Sequence, residues 1–475
     1  MKNRKPGFII GVVLSVLFAV GCKNYTLEQQ PNILLICVDD LRPDLKSFGA
    51  EHIISPNIDK LAKQGVLFKK HYVNSPSCGP SRYTLLTGLY GTPNNNALFL
   101  RAKQIAKEKK TNPSMPEWFK THGYTTVSVG KVSHHPGGRG GANWNDSTII
   151  EMPNAWHRQL MPVKEWQHPK GAMHGLAHGE IRVNASKMDV FQSVEGNDSI
   201  YPDGAITEVA VNELRQLALN NKKPFFLAVG FIKPHLPFGA PKNYYDDYED
   251  ADFPEIKHPK KPEGRTTWHN SNEFKQYNRW GKNPNEDADF AYQIRRHYAA
   301  CITYADAQIA KVLEALKQSG AYKNTIIVLW GDHGWHLGEH AIWGKHTLFE
   351  ESLRSPLVIY DPRAKQSGFS TDAMVETLDV FPTLCDLADI EMPEFAQGVS
   401  LKNVLNKKDT VGHNALAYKS GAVTLRTNTH RLVLHDDGFT ELYDHATTKK
   451  ETQNIAEKHP EWVEKLKQQL KAKCE

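Results

Sequence analysis

Cysteine is scarce in this chain of 475 residues: six in all, Cys22, Cys37, Cys78, Cys301, Cys385 and Cys474, scattered from end to end. That distribution excludes a disulfide framework. A charge of one sign is missing too, since 58 Lys and Arg face 53 Asp and Glu for a net +5. With no basic block and no basic–aromatic repeat, the composition argues against a nucleic-acid partner and leaves an anionic substrate open. Internal repeats are absent. The apolar run from Phe8 to Val20 falls short of the roughly 20 residues that a membrane-spanning helix needs. What remains is an ordinary globular composition, 40% hydrophobic and 23% charged, in a length that allows two or three domains.

The short apolar run has a meaning of its own. Lys2, Arg4 and Lys5 precede it, and Ala19-Val20-Gly21-Cys22 closes it with small residues and a cysteine. This is the layout of an export signal of the bacterial lipoprotein type. Residues 1–21 are expected to be absent from the mature protein, with Cys22 as its lipidated first residue. The expected location is the periplasm or the outer membrane, with the lipid anchor as the sole membrane contact.

From Pro31 onward strand-like and helical patterns alternate, which predicts an α/β fold built on a large, mostly parallel sheet flanked by helices. Ile33-Leu34-Leu35-Ile36-Cys37-Val38 is apolar throughout, as a strand covered on both faces must be. Further strands read at Thr125–Val129, Phe225–Phe231, Thr325–Trp330 and Pro356–Tyr360. Ser55-Pro56 reads as the N-cap and first residue of a helix ended by Gly65, and a long helix runs from about Ala288 to Lys317. Residues 133–200 and 239–287 show little periodicity. They carry Trp144, Trp156, Trp166 and Trp268, the composition of loops that wall a pocket. A catalytic domain is expected over 31–410 and a small C-terminal subdomain over 411–475. There, short alternating runs at Ala415–Tyr418, Val423–Arg426, Arg431–His435 and Glu441–Tyr443 predict an antiparallel sheet, and Pro460 opens a final helix.

Chemistry gathers where the strands end. The first runs into Asp39-Asp40, Thr125–Val129 into Gly130-Lys131 with His134 and His135 beyond, Phe225–Phe231 into Lys233-Pro234-His235, and Thr325–Trp330 through Gly331 into Asp332-His333. Open α/β sheets bind ligands beyond the carboxyl ends of their strands. Adjacent carboxylates repel, so Asp39 and Asp40 would gain from a cation between them. Cys78-Gly79-Pro80-Ser81-Arg82 opens a helix with Pro80 in its first turn, which sets Cys78 at the positive end of a helix dipole. His336 and His340 stand at the i,i+4 spacing of a zinc pair, although Gly338 between them counts against a second metal site.

The Cys-x-Pro-Ser-Arg run at Cys78–Arg82 resembles the signature of the type I sulfatases of the alkaline-phosphatase-like superfamily. Similar stretches run from Asn32 to Pro43, Ser55 to Leu61, Ser128 to Val132, Pro224 to Phe238 and Asp332 to Lys345. Within them the K-P-H-L-P-F and D-H-G-W segments point towards the iduronate-2-sulfatase branch. The resemblance implies an alkaline-phosphatase-like fold and hydrolysis of sulfate esters. It implies that a maturation enzyme oxidises Cys78 to formylglycine, and that Asp39, Asp40, Asp332, His333 and the modified Cys78 hold one calcium ion. Arg82, Lys131, His134, His235 and Lys345 would then meet the formylglycine or the sulfate. The cations would stabilise charge developing on the bridging oxygen, His235 with Lys345 would protonate the departing sugar oxygen, and His134 would act as base in sulfate release. The implied substrate is a sulfated oligosaccharide or polysaccharide, with exolytic removal of a 2-O-sulfate from a terminal uronic acid expected. Arg139 and Arg158 are the candidate partners of the uronate carboxylate. Rival readings are a sulfatase acting on algal sugars, a phosphomonoester or phosphonate hydrolase, and a glycan-binding lipoprotein without turnover.

Overall fold

The computed structural model describes residue 1 and residues 30–135, 150–182, 184–220 and 222–474. The expected signal segment and Cys22 lie outside them. An eight-stranded sheet forms the centre. In chain order its strands are β1 (Asn32–Val38), β2 (Val66–Tyr72), β3 (Thr125–Gly130), β4 (Arg158–Leu160), β5 (Phe225–Phe231), β6 (Thr325–Gly331), β7 (Leu357–Tyr360) and β8 (Phe369–Glu376). Across the sheet they stand in the order β8-β2-β7-β6-β1-β5-β3-β4. Only β7 pairs antiparallel with its neighbours, so the sheet is mostly parallel, as expected. The reversal of β7 had no trace in the pattern, because a buried apolar run reads alike in both directions.

Helices cover both faces. They include α1 (Pro56–Gln64), α2 (Cys78–Thr87), α3 (Pro202–Leu219), the short α4 (Asn272–Lys275) and α5 (Ala288–Gln318). Leu34, Ile36 and Val38 of β1 join the apolar layer under α1, α3 and α5, while Ile33, Leu35 and Cys37 join the layer under α2. Two covered faces explain the unbroken apolar run. Ser55 precedes α1 as expected but does not cap it, since its Oγ bonds Asp59 Oδ2 at 3.0 Å. Asp306 of α5 takes the free N–H groups of Asn57 and Ile58 instead, at 3.1 and 2.7 Å.

The C-terminal strands β9 (Ala415–Lys419), β10 (Ala422–Arg426), β11 (His430–His435) and β12 (Thr440–Asp444) form an antiparallel sheet in sequential order. Leu416, Leu425, Leu432 and Leu442 on one face meet Val463, Leu466 and Leu470 of α6 (Pro460–Cys474). The other face, through Ala417, Val433 and Tyr443, packs on Tyr72, Phe349 and Leu353. Ion pairs fasten the attachment: His413 Nε2 stands 2.8 Å from Asp379 Oδ2, and Lys473 Nζ 2.8 Å from Glu376 Oε2. Among the described residues no helix is long and apolar enough to cross a membrane.

Candidate active site

The ladder carries one step past the ends of β1, β5 and β6. Asp39 N donates to Phe231 O at 3.2 Å and Asp332 N to Val38 O at 3.2 Å, which sets the two aspartates side by side. Asp40 follows at φ 56°, a left-handed turn that aspartate tolerates, and its N–H donates to Asp332 Oδ1 at 2.9 Å. Lys131 reaches the same edge because Gly230 lies flat beneath it: a Cβ there would stand 2.1 Å from the Lys131 carbonyl carbon. Past the end of β5, the carboxylate of Asp203 of α3 receives the N–H groups of Ile232 and Lys233, both at 2.8 Å, and so fixes the turn that carries His235.

From the other side, α2 brings Cys78, Ser81 and Arg82. Cys78 is its first residue and Pro80 lies in its first turn, as expected, and Gly88 ends it at φ 68°. Gly79 is required at close quarters, since a Cβ there would lie 2.3 Å from Asn95 Cα. Cys78 Sγ stands 3.2 Å from His333 Nε2 and 3.2 Å from Lys345 Nζ. Lys345 Nζ pairs with Asp40 Oδ1 at 2.8 Å, and Lys131 Nζ pairs with Asp39 Oδ2. Arg82 Nε donates to Asp332 Oδ2 at 3.1 Å, Nη1 to the carbonyls of Lys131 and Val132 at 2.5 and 3.0 Å, and Nη2 to Asp39 Oδ1 at 2.9 Å. Its donors are thus spent on strand ends. In this geometry the guanidinium positions the acids Asp39 and Asp332.

Three carboxylates and three cations share this buried centre. Burial raises the Asp39 carboxyl, but Lys131 and Arg82 outweigh it and hold the group well below the usual range. At Asp40 burial prevails over Lys345 and pushes the group up to about 7. At Asp332 burial and then Asp39 prevail over His333 and Arg82, giving about 6. Burial, then Asp39, also pushes the Cys78 thiol well up. Burial followed by Lys131 keeps His134 and His235 neutral, with Lys345 adding to the effect at His235.

Two details suit this donor set to a hard cation. His333 Nδ1–H donates to Gly334 O at 2.9 Å, which turns the Nε2 lone pair towards Asp40 Oδ1, 3.2 Å away. Two acceptors facing each other invite a cation between them. In addition, Asp40 Oδ2 is buried with no hydrogen-bond partner. Donor atoms of Asp39, Asp40, Cys78 and His235 lie within 4.8 Å of one another, as do those of Cys78, Asp332 and His333. Carboxylate oxygens with one imidazole favour calcium or magnesium over softer metals.

The sulfatase family profile matches residues 31–390 of this chain. The chain belongs to the sulfatase family. A second profile, N-sulphoglucosamine sulphohydrolase, C-terminal, matches residues 338–475. Iduronate 2-sulfatase of Mus musculus is 33% identical over 402 residues, 76% of this chain and 69% of its own. A sulfatase of Formosa agariphila is 30% identical over 451 residues, 90% of this chain and 83% of its own. Among solved structures, the phosphonate monoester hydrolase of Agrobacterium radiobacter superposes with a TM-score of 0.72 at 22% identity, over 93% of this chain and 95% of its own. A 2-O GAG sulfatase superposes at 0.65 with 20% identity, over 94% and 92%. These likenesses establish the alkaline-phosphatase-like fold.

Around the sulfatase centre, several residues singled out by sequence take other places. Arg158 lies on the edge strand β4 and pairs with Glu213 of α3 at 2.6 Å, away from Cys78, so it is not the cation for a uronate. Arg139 and Trp144 lie outside the described residues. Trp156 packs on the second apolar layer, Trp166 is fully buried with Nε1 donating to Leu176 O at 2.8 Å, and Trp268 Nε1 donates to His340 O at 2.9 Å. His336 and His340 do not converge on a metal position: His336 Nε2 bonds Thr347 Oγ1 at 3.0 Å, whereas His340 gathers with Glu351 and Glu451. One acid at the centre escaped sequence reasoning. Glu273, on α4 within the non-periodic stretch, places Oε1 3.5 Å from Lys345 Nζ and 3.9 Å from His235 Nε2. No local pattern marks it, because only the fold of that loop brings it there.

Proposed function

We propose that this sulfatase removes sulfate from the terminal residue of a sulfated glycan, with a formylglycine made from Cys78 and one calcium ion held by Asp39, Asp40, Asp332 and His333. The observation that carries the reading is the meeting of Lys345, His333 and Asp40 on Cys78 Sγ inside a buried cluster rich in oxygen acceptors. A hydrated aldehyde supplies a nucleophilic hydroxyl and, through its second hydroxyl, a route back to the aldehyde. The cation supplies a positive charge for a sulfate oxygen.

The chain's own groups do the rest. Arg82 and Lys131 hold Asp39, and Arg82 holds Asp332, which is placed to take a proton from the nucleophile. The Lys345 ammonium, with burial outweighed above all by Asp40, stays charged opposite the incoming sulfate. His235 Nδ1–H donates to Leu236 O at 2.6 Å, which fixes the ring and leaves Nε2 for the leaving oxygen. A sulfate anion beside it favours the imidazolium, the form that donates a proton there. His134, held neutral by burial and Lys131, suits the role of base in sulfate release.

A terminal 2-O-sulfated uronic acid is the substrate favoured by the likeness to iduronate 2-sulfatase. The N-terminal sequence favours export as a lipoprotein, which also calls for a formylglycine-installing partner. The test measures sulfate release from 2-O-sulfated unsaturated uronyl disaccharides, their 6-O-sulfated counterparts and sulfated algal oligosaccharides, with phenyl sulfate and a phenylphosphonate ester alongside. Loss of the 2-O-sulfate is expected. Release from 6-O-sulfated or algal substrates alone overturns the uronate assignment, and turnover of the phosphonate alone overturns sulfate-ester hydrolysis.

A further inference from the structure

We infer that Glu273 reads the group on the carbon next to the sulfate-bearing carbon, so that the site accepts a sulfate flanked by a free hydroxyl and rejects one flanked by a second anion. The inference rests on the sulfatase reading above, with the ester at Cys78 and its leaving oxygen towards His235 and Lys345. Glu273 stands on the solvent side of those two residues: its side chain is 32% exposed, against 3% for His235 and 2% for Lys345. Its carboxylate is short of donors. Oε2 is buried without a hydrogen-bond partner, the His346 imidazole beside it at 3.6 Å being held neutral by burial, and Oε1 reaches Lys345 and His235 only at ion-pair distances. Burial raises the Glu273 carboxyl, but Lys345 outweighs it, so the group is ionised at neutral pH.

A partly buried carboxylate with an unsatisfied oxygen is a recognition element for a ligand N–H or O–H. On a six-membered ring the neighbouring oxygen lies one hydrogen-bond length from the leaving oxygen. It therefore falls beside the carboxylate that adjoins His235 and Lys345. A free hydroxyl there donates to Glu273. A second sulfate or a carboxylate meets like charge in a partly dehydrated position, which is the repulsive half of a specificity device. Secondary ring sulfates with a free neighbour satisfy the arrangement. A 6-O-sulfate does not, because the adjacent ring carbon carries the ring oxygen. A uronate carboxylate lies across the ring from a 2-O-sulfate, so the inference is compatible with the proposed substrate.

The experiment compares 2-hydroxyphenyl, 2-methoxyphenyl and 2-carboxyphenyl sulfate, reading sulfate release as kcat/KM for the mature protein and for Glu273→Gln and Glu273→Asp. The mature protein is expected to favour the hydroxy ester over the methoxy ester by about tenfold to a hundredfold, the range of a hydrogen bond to a charged acceptor, and to exclude the carboxy ester. Glu273→Gln should narrow the first ratio and admit the carboxy ester, whereas Glu273→Asp, which keeps the charge, should still exclude it. Equal turnover of all three esters by the mature protein overturns the inference, as do ratios unchanged in Glu273→Gln. Either result leaves sulfatase activity standing. Failure to release sulfate from these esters and from the disaccharides overturns the sulfatase reading, and the inference falls with it.

Discussion

Replacing Arg82 by methionine removes a guanidinium from beneath the charged centre and leaves a side chain of similar length in its place. Arg82, Asp39 and Asp332 are all fully buried. Breaking a buried ion pair by removing one partner costs about 3–5 kcal/mol, because the other charge stays out of water. The loss falls unevenly. Asp39 retains Lys131, but among the described residues Asp332 is left with the Asp40 N–H at 2.9 Å. Asp332 is already pushed up to about 6, so it takes a proton more readily once Arg82 is gone, which keeps the penalty near the lower end of that range. The carbonyls of Lys131 and Val132 also lose a donor, worth about 1 kcal/mol each. A destabilisation of about 4–6 kcal/mol is expected, a large share of the roughly 5–15 kcal/mol that keeps a domain folded. Arg82→Lys retains the charge without the fork and should lose about half as much. Urea unfolding at neutral pH in the presence of a chelator, where no bound cation supports Asp39 or Asp332, followed by tryptophan fluorescence, measures both. A residue that only touched sulfate would slow turnover and leave the midpoint in place. A shift below about 1 kcal/mol in Arg82→Met therefore refutes the role of the guanidinium as the tie between strand ends.

Cys78→Ala should abolish sulfate release while the thermal midpoint holds, and peptide mass spectrometry of active protein should find formylglycine at position 78; active protein carrying only unmodified cysteine defeats that prediction. Removing the cation with a chelator should lower Tm and activity together, and calcium should restore both. At a hundredfold excess over Kd the bound ion is worth about 2.7 kcal/mol, so full activity and an unmoved Tm in chelator would dismiss the site. At His413 burial lowers the pKa, but Asp379 outweighs it and raises the group to about 9. A raised folded pKa means that its contribution, at most about 3 kcal/mol, is complete below the unfolded value near 6.5 and is lost as pH rises through about 9. His413→Gln should flatten the stability profile over that window, and an unchanged profile would show that the pair does not anchor the C-terminal sheet.

Much of the centre was legible in the chain because its signals are local. An apolar run covered on both faces has to be a central strand, and Asp39-Asp40 and Asp332-His333 follow directly on such runs. Cys78 and Pro80 place a cysteine at a helix start by the same short-range logic. The C-terminal sheet was readable for a similar reason, since alternating runs between turns specify strands paired in sequence.

What the tertiary structure decided depends on partners far apart in the chain. Asp306, not Ser55, satisfies the start of α1, because a long helix lays its carboxylate against those N–H groups. Arg158 spends its charge on Glu213 at the sheet edge. Glu273 enters the site from a stretch with no periodicity. Arg82 ties three strand ends together because its fork finds two aspartates and two carbonyls at once. The amino-acid sequence by itself determined which strand ends carry acids and cations and that Cys78 opens a helix, since each follows from its immediate neighbours. The direction of β7, the pairing of each charge and the acid at the mouth of the site were left to the fold, because burial and distance decide which of many possible ion pairs form.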